Sequence, residues 1–191
     1  MRVIRYAELA SAAWKNGAGI TREACREPAG PSPFGWRVSF AQVDASAPFS
    51  DFSGYTRYLV LLRGAGVRLN FGDGRSTTLR EAGDLIRFDG GIPTHGELLR
   101  GACIDLNLIA ASRRYSVHAG VELVVDRFAR APLAAETVLM VPLGEAILVK
   151  DLDGESARLG PWDLAVGRLH AAIATVPCRV FVAGIVDNNP D

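Results

Sequence analysis

The sequence predicts an all-β protein built from two small barrel or jelly-roll units, and three observations predict it. Apolar runs are short and are cut by Gly, Pro or Asp, as in RYLVLLRGAGVRLNF and ETVLMVPLGEAILVKDL, a pattern of many brief strands joined by turns. Asp-Gly, a hairpin signal, occurs in FGDGRS and again in DLDGES. The stretch VLLRGAGVRLNFGDGRSTTLREAGDLIRF also has a counterpart in VLMVPLGEAILVKDLDGESARLGPWDLAV. Gly64 falls opposite Gly144 there, Asp73-Gly74 near Asp153-Gly154, and Asp84 opposite Asp163. A nearly constant offset is the mark of a duplication, and closed units remove the sheet edges that such strands would otherwise expose.

Along the chain, WKNGAGITRE (14–23) comes first. It lacks the G-x-x-x-x-G-K-[ST] of a phosphate loop and the third glycine of a dinucleotide fingerprint. Asn16-Gly17 reads as a tight turn, with Trp14, Thr21, Arg22 and Glu23 around it. WRVSFAQV is a strand with Trp36, Val38 and Phe40 on one face and Arg37, Ser39 and Ala41 on the other. PFSDFSG (48–54) is a loop capping an edge or mouth, with Phe49 and Phe52 as packing residues. Arg57 stands at the start of the next strand, and CIDLNLI places Asp105 and Asn107 together, opposite Ile104, Leu106 and Leu108. The alternation breaks in ASRRYSVHAG (111–120), so the division is placed at 1–111 and 112–191, with the two halves expected to pack together.

Composition excludes several functions. Lys+Arg and Asp+Glu both number 21, with no basic block, which disfavours nucleic-acid binding. No apolar run approaches the about 20 residues of a membrane span, and the N-terminal stretch lacks a signal-peptide core, so a cytoplasmic protein is expected. Cys25, Cys103 and Cys178 have no C-x-x-C spacing, and His95, His118 and His170 form no H-x-H or H-x-x-x-H. Neither a disulfide framework, a metal site nor a cofactor is expected. No G-x-S-x-G or Cys-His signature supports a nucleophilic enzyme.

The polar strand faces admit two readings. They are the wet outside of half-buried strands, or they line a barrel interior that holds a ligand. On the second reading Arg37 and Arg57 bind a carboxylate, and Asn107 suits an amide, formyl or imidazole group. Asp105 orients an arginine, serves as a base, or is a plain ion-pair partner. His95, in FDGGIPTHGEL, belongs on a loop or rim.

WKNGAGITRE, WRVSFAQVDASAPFSDFSGYTRYLVLLRGAGVRL and the FDGG…LLRG…DLNL block resemble the HutD/Ves family, from about residue 14 to 114 by specific motifs and more loosely beyond. The shared positions are Trp14, Asn16, Gly17, Gly19, Thr21, Arg22, Glu23, Trp36, Arg37, Ser39, Arg57, Asp105 and Asn107. Gly91 and Ile109 depart from the family pattern, and the cupin metal motif is missing. The resemblance implies a bicupin that binds a small molecule of histidine utilisation, urocanate or formylglutamate, in a modulating role. The expected ligand site is Asn16, Arg37, Ser39, Arg57, Asp105 and Asn107, walled by Trp36 or Trp14 and rimmed by His95. A metal-independent hydrolase or isomerase using Asp105 or Glu23, and a protein-interaction module, are the rival expectations. A homodimer is compatible with all three.

Overall fold

The computed structural model describes residues 1–30, 33–129 and 135–189. Apart from a short 3-10 turn, Tyr6–Glu8, the described structure is β. In chain order the strands are β1 (Arg2–Ile4), β2 (Ala12–Ala13), β3 (Gly19–Glu27), β4 (Trp36–Val43), β5 (Ala47–Pro48), β6 (Tyr55–Arg63), β7 (Val67–Phe71), β8 (Ser76–Leu79), β9 (Leu85–Asp89), β10 (Thr94–Leu98) and β11 (Cys103–Ala111). There follow β12 (Tyr115–Ala129), β13 (Thr137–Pro142), β14 (Ile147–Asp151), β15 (Ser156–Leu159), β16 (Leu164–Gly167) and β17 (Leu169–Asp187).

Contacts divide the chain into two compact units, one of Leu9–Tyr115, the other of Met1–Glu8 with Ser116–Asp191. The first eight residues therefore leave the N-terminal unit in which a 1–111 division puts them. The reason is hydrogen bonding: β1 adds to the far unit's sheet by pairing antiparallel with β16. No sequence feature of so short a strand announces a partner more than 150 residues away.

In the first unit, one sheet has the order β2-β3-β4-β11-β6-β9 and a second β5-β10-β7-β8. In the other unit the order is β1-β16-β13-β17-β14-β15, with β12 also on β17. The run β9-β6-β11-β4 thus matches β16-β13-β17-β12, and the hairpin β7–β8 matches β14–β15. The long β17 does the work of two strands, pairing with β14 over its first part and with β13 over its second.

The repeated turns match in detail. Gly74 and Gly154 both have positive φ, 86° and 88°, and each closes its hairpin with Asp73 or Asp153 before it. Asp84 accepts hydrogen bonds from the Arg80 and Glu81 backbone N–H groups, and Asp163 accepts one from Gly160. Both carboxylates thus satisfy backbone donors that a turn would leave bare.

The opening motif is a hairpin held by its own atoms. Trp14 N–H donates to Gly19 O, Gly17 N–H to Trp14 O, and Ala18 N–H to Asn16 Oδ1. Gly19 sits so close to β4 that a Cβ there would collide with the Gln42 carbonyl oxygen and press on the Trp14 ring. Gly19→Ala is expected to lower the free energy of unfolding by about 2 kcal/mol or more, as read from urea denaturation.

Candidate functional site

Side-chain alternation builds the site in three rows across the first unit's larger sheet. Ile109 on β11 is paired with Arg57 on β6 and with Arg37 on β4. Two residues along, Asn107 lies between Leu59 and Ser39, and Ser39 is paired with Glu23. Asp105 then lies between Leu61 and Ala41, and Ala41 is paired with Thr21. These faces line a cavity of about 770 Å³, closed on another side by the segment from Ala10 to Asn16 and by Pro48, Phe49, Ser50 and Phe52. The opposite faces of β4 and β11 carry Trp36, Val38, Phe40, Leu106 and Leu108, all buried.

Of the expected ligand residues, Asn16, Arg37, Ser39, Arg57, Asp105 and Asn107 are brought together around this cavity. Trp36 and His95 are not among its lining residues. Trp36 is adjacent in sequence to Arg37, so alternation turns it to the other side of β4, where it is buried. His95 lies exposed on β10, opposite Asn70 and Pro48. Trp14 does line the cavity, and its indole N–H donates to Thr21 Oγ1 at 2.8 Å.

The arginines are held by aromatic rings. The Arg57 guanidinium lies 4.9, 5.1 and 5.4 Å from the ring centres of Phe49, Phe88 and Phe52. That of Arg37 lies 5.1 Å from both Phe34 and Phe52. Phe52 thus serves both cations. Such contacts contribute about 0.5–2 kcal/mol each. Phe49 and Phe52 were expected only to pack; their faces are spent on cations. The loop spacing Phe49-x-x-Phe52 was the available signal, but sequence alone did not show which strand starts the loop would meet.

Arg57 is 6% exposed and Asp105 1%. Arg57 Nη2 donates to Asn107 Oδ1 at 2.7 Å, and Asn107 Nδ2 donates to Asp105 Oδ1. The reverse amide orientation would set oxygen against carboxylate and NH₂ against guanidinium, so the charges at its two ends dictate how Asn107 points. Burial lowers the Arg57 pKa to about 10, partly offset by Asp105. Burial likewise pushes the Asp105 carboxyl up to about 7, against the downward pull of Arg57 and Asn107. Burial lowers the pKa of Arg37 as well. Glu23 differs: the fork of Arg26 holds it from Nε and Nη2 at 2.7 and 2.6 Å, and this pairing keeps its pKa below the usual value. No group of three or more His, Cys, Asp or Glu side chains among the described residues is arranged to hold a metal ion.

The second unit supplies an internal comparison. Gly83 N–H donates to Leu61 O, and Trp162 N–H donates to Pro142 O, so Leu61 and Pro142 correspond. Arg57 is flanked by Phe88 and Ile109; Val138 is flanked by Gly167 and Gly184. Carried along the register, Arg57, Asn107 and Asp105 correspond to Val138, Val182 and Val180. Those three valines belong to one apolar cluster and are at most 5% exposed. One topology has therefore been filled with valine in one unit and with an ionic chain in the other.

The sequence matches the HutD family over residues 6–179. The chain belongs to the HutD family. An uncharacterized 21.2 kDa protein in the hutC 3′ region of Pseudomonas putida is 34% identical over 164 residues, 85% of this chain and 84% of the relative. Among solved structures, a conserved protein of unknown function from Pseudomonas aeruginosa superposes with a TM-score of 0.89 at 30% identity, covering 96% of this chain and 97% of that one. HutD from Pseudomonas fluorescens, in a formate condition, gives 0.82 at 28% identity, covering 98% and 99%. A cupin 2 barrel-domain protein from Leptotrichia buccalis gives 0.60 at 11% identity over 98% and 96% of the two chains. That last likeness shows a cupin-like fold for this HutD-family chain and nothing further. No described helix is long and apolar enough to cross a membrane.

Burial of Asp105 links stability to pH. Its pKa is raised in the folded chain from an ordinary 3.8 to about 7, so its neutral form is the stable one. The contribution is fully present below about pH 4 and is lost as pH rises through about 7. Asp105→Asn, which keeps an acceptor for Asn107, is expected to raise the free energy of unfolding at about pH 8 by on the order of a few kcal/mol. At about pH 4 it should change little, and denaturation at the two pH values checks this.

Proposed function

We propose that this HutD-family chain is a small-molecule-binding bicupin whose first unit holds a carboxylate metabolite of histidine catabolism. The observation that carries the reading is that Arg57, Asn107 and Asp105, which line the cavity of the first unit, stand where the second unit has three clustered valines. A buried ionic chain is a weak source of stability and is often no better than apolar packing. Its presence on one copy of a shared topology is therefore explained by a ligand.

Arg37 and Arg57 stand on either side of Ile109 at one level of the sheet, suited to an anionic group. Ser39 and Asn107 form the next row, suited to a neutral polar group. Asn16 spends its Oδ1 on Ala18 and keeps its amide donors. The relative in the hutC 3′ region and the solved HutD support the histidine-utilisation setting, and that role takes the protein to be cytoplasmic. The ligand candidates are urocanate and N-formylglutamate, and the role is sensing or modulating.

A second reading has one observation in its favour. A carboxyl with a pKa of about 7 in a cavity is tuned for general acid–base work near neutral pH, which would make Asp105 the base of a metal-independent hydrolase or isomerase. Product formation from either compound, stopped by Asp105→Asn while binding persists, would establish it.

Calorimetry with urocanate, N-formylglutamate and histidine tests the binding reading. Micromolar affinity, about −8 kcal/mol, is expected for one of the first two. Arg57→Met is expected to weaken it by about 2–3 kcal/mol. Absence of heat with all three, on folded protein, would sink the assignment.

A further inference from the structure

Asp105 is the deepest charged group of the cavity wall and makes no direct ion pair among the described residues. Its side chain has one hydrogen-bond partner, Asn107 Nδ2, and Asn107 in turn receives Arg57. In the empty site the carboxylate is thus the counter-charge of Arg57, held one amide away. The guanidinium has little else: Nε is buried without a hydrogen-bond partner, and three phenylalanine rings surround it. A ligand carboxylate arriving on Arg57 becomes a nearer counter-charge. Asp105 then faces a second anion across the same relay, in a place water scarcely reaches. Two carboxylates sharing one site cannot both stay ionised at ordinary cost, and one takes a proton.

The geometry points to Asp105 as a positioning residue that acts through Asn107: it balances Arg57 while the site is empty and takes up a proton when a ligand carboxylate replaces it. This rests on the carboxylate-binding reading above. It adds that the site takes a carboxylate together with a proton, so that affinity falls as pH rises.

The charged and titratable groups around Asp105 come from several elements. Arg57 faces it from β6, Arg37 from β4 and Glu23 from β3, with Lys15 on the segment that closes the cavity. Cys103 lies two residues away on β11, and Asp44 acts on that thiol. Burial drives Cys103 up to about 12, and Arg26 keeps Glu23 ionised. Neither changes charge near neutrality, whereas burial has brought Asp105 to about 7.

The test is titration calorimetry with N-formylglutamate, which has no titrating group of its own near neutral pH, in phosphate and in Tris at about pH 7.5. Binding heats are expected to differ between the buffers by the ionisation heat of part of one proton taken up per ligand. Affinity is expected to fall roughly tenfold from about pH 6 to about pH 8.5. Asp105→Asn should bind at both pH values as tightly as the unaltered chain does at about pH 6, with buffer-independent heat. Binding with equal heats in both buffers would overturn the inference and leave the carboxylate reading standing, as would a pH slope that survives in Asp105→Asn. If Asp105→Asn fails to fold, the two-buffer comparison on the unaltered chain still decides. Absence of binding by both N-formylglutamate and urocanate overturns the carboxylate reading itself. Carboxyl carbon NMR of the ligand-free protein then judges Asp105: titration near 7 upholds its place as a shiftable counter-charge, and titration near 4 overturns it.

Discussion

A guanidinium inside a β-sheet interior has to be compensated, and the first unit is arranged around that requirement for Arg57. Three phenylalanine rings cover it, Asn107 accepts its hydrogen bond, and Asp105 closes the chain from behind. Each element has one task in this arrangement. β6 supplies the cation, β11 the amide and the acid, β9 supplies Phe88, and the loop at 49–52 supplies two more rings. The adjoining Arg37 shares Phe52, so the two cations are positioned by one aromatic residue. Removing the Arg57 cation alone would leave the ionised Asp105 carboxylate buried without its counter-charge, the situation that makes buried ionic groups costly to break though not strong when intact.

The two halves of the chain show what the topology needs and what it does not. Hairpins with Asp-Gly turns, a carboxylate capping the next turn, and the strand order around the central pair recur in both. At the positions of Arg57, Asn107 and Asp105 the second half has Val138, Val182 and Val180 in a close-packed cluster. The strands thus form from alternation and turn chemistry alone. The polar chain is an addition whose burial raises the Asp105 pKa and lowers that of Arg57, each shift only partly offset by the opposite charge.

Much of this was legible from residues. Period-2 alternation placed Arg37 with Ser39, and Asp105 with Asn107; the duplicated Asp-Gly turns placed the hairpins. Alternation states which side chains share a face but not which face meets a cavity. Alternation puts Trp36 and Ser39 on opposite faces, but both faces of β4 and β11 are buried, so only the fold shows which of the two lines the cavity. The position of His95 was hidden for a related reason: it lies on a strand of the smaller sheet and is exposed there. The ring cage was hidden because Phe34, the pair Phe49 and Phe52, and Phe88 come from three separate segments. β1 was hidden because three residues carry too little pattern to specify a distant partner.

The most direct measurement is to give the first unit the second unit's interior, replacing Arg57, Asn107 and Asp105 together with valine. If the chain of polar groups serves a ligand and not the fold, urea denaturation at about pH 8 will show the triple variant unfolding at a denaturant concentration no lower than the unaltered chain, while carboxylate binding is abolished. A folded variant that binds as before, or one that no longer folds, would contradict that account.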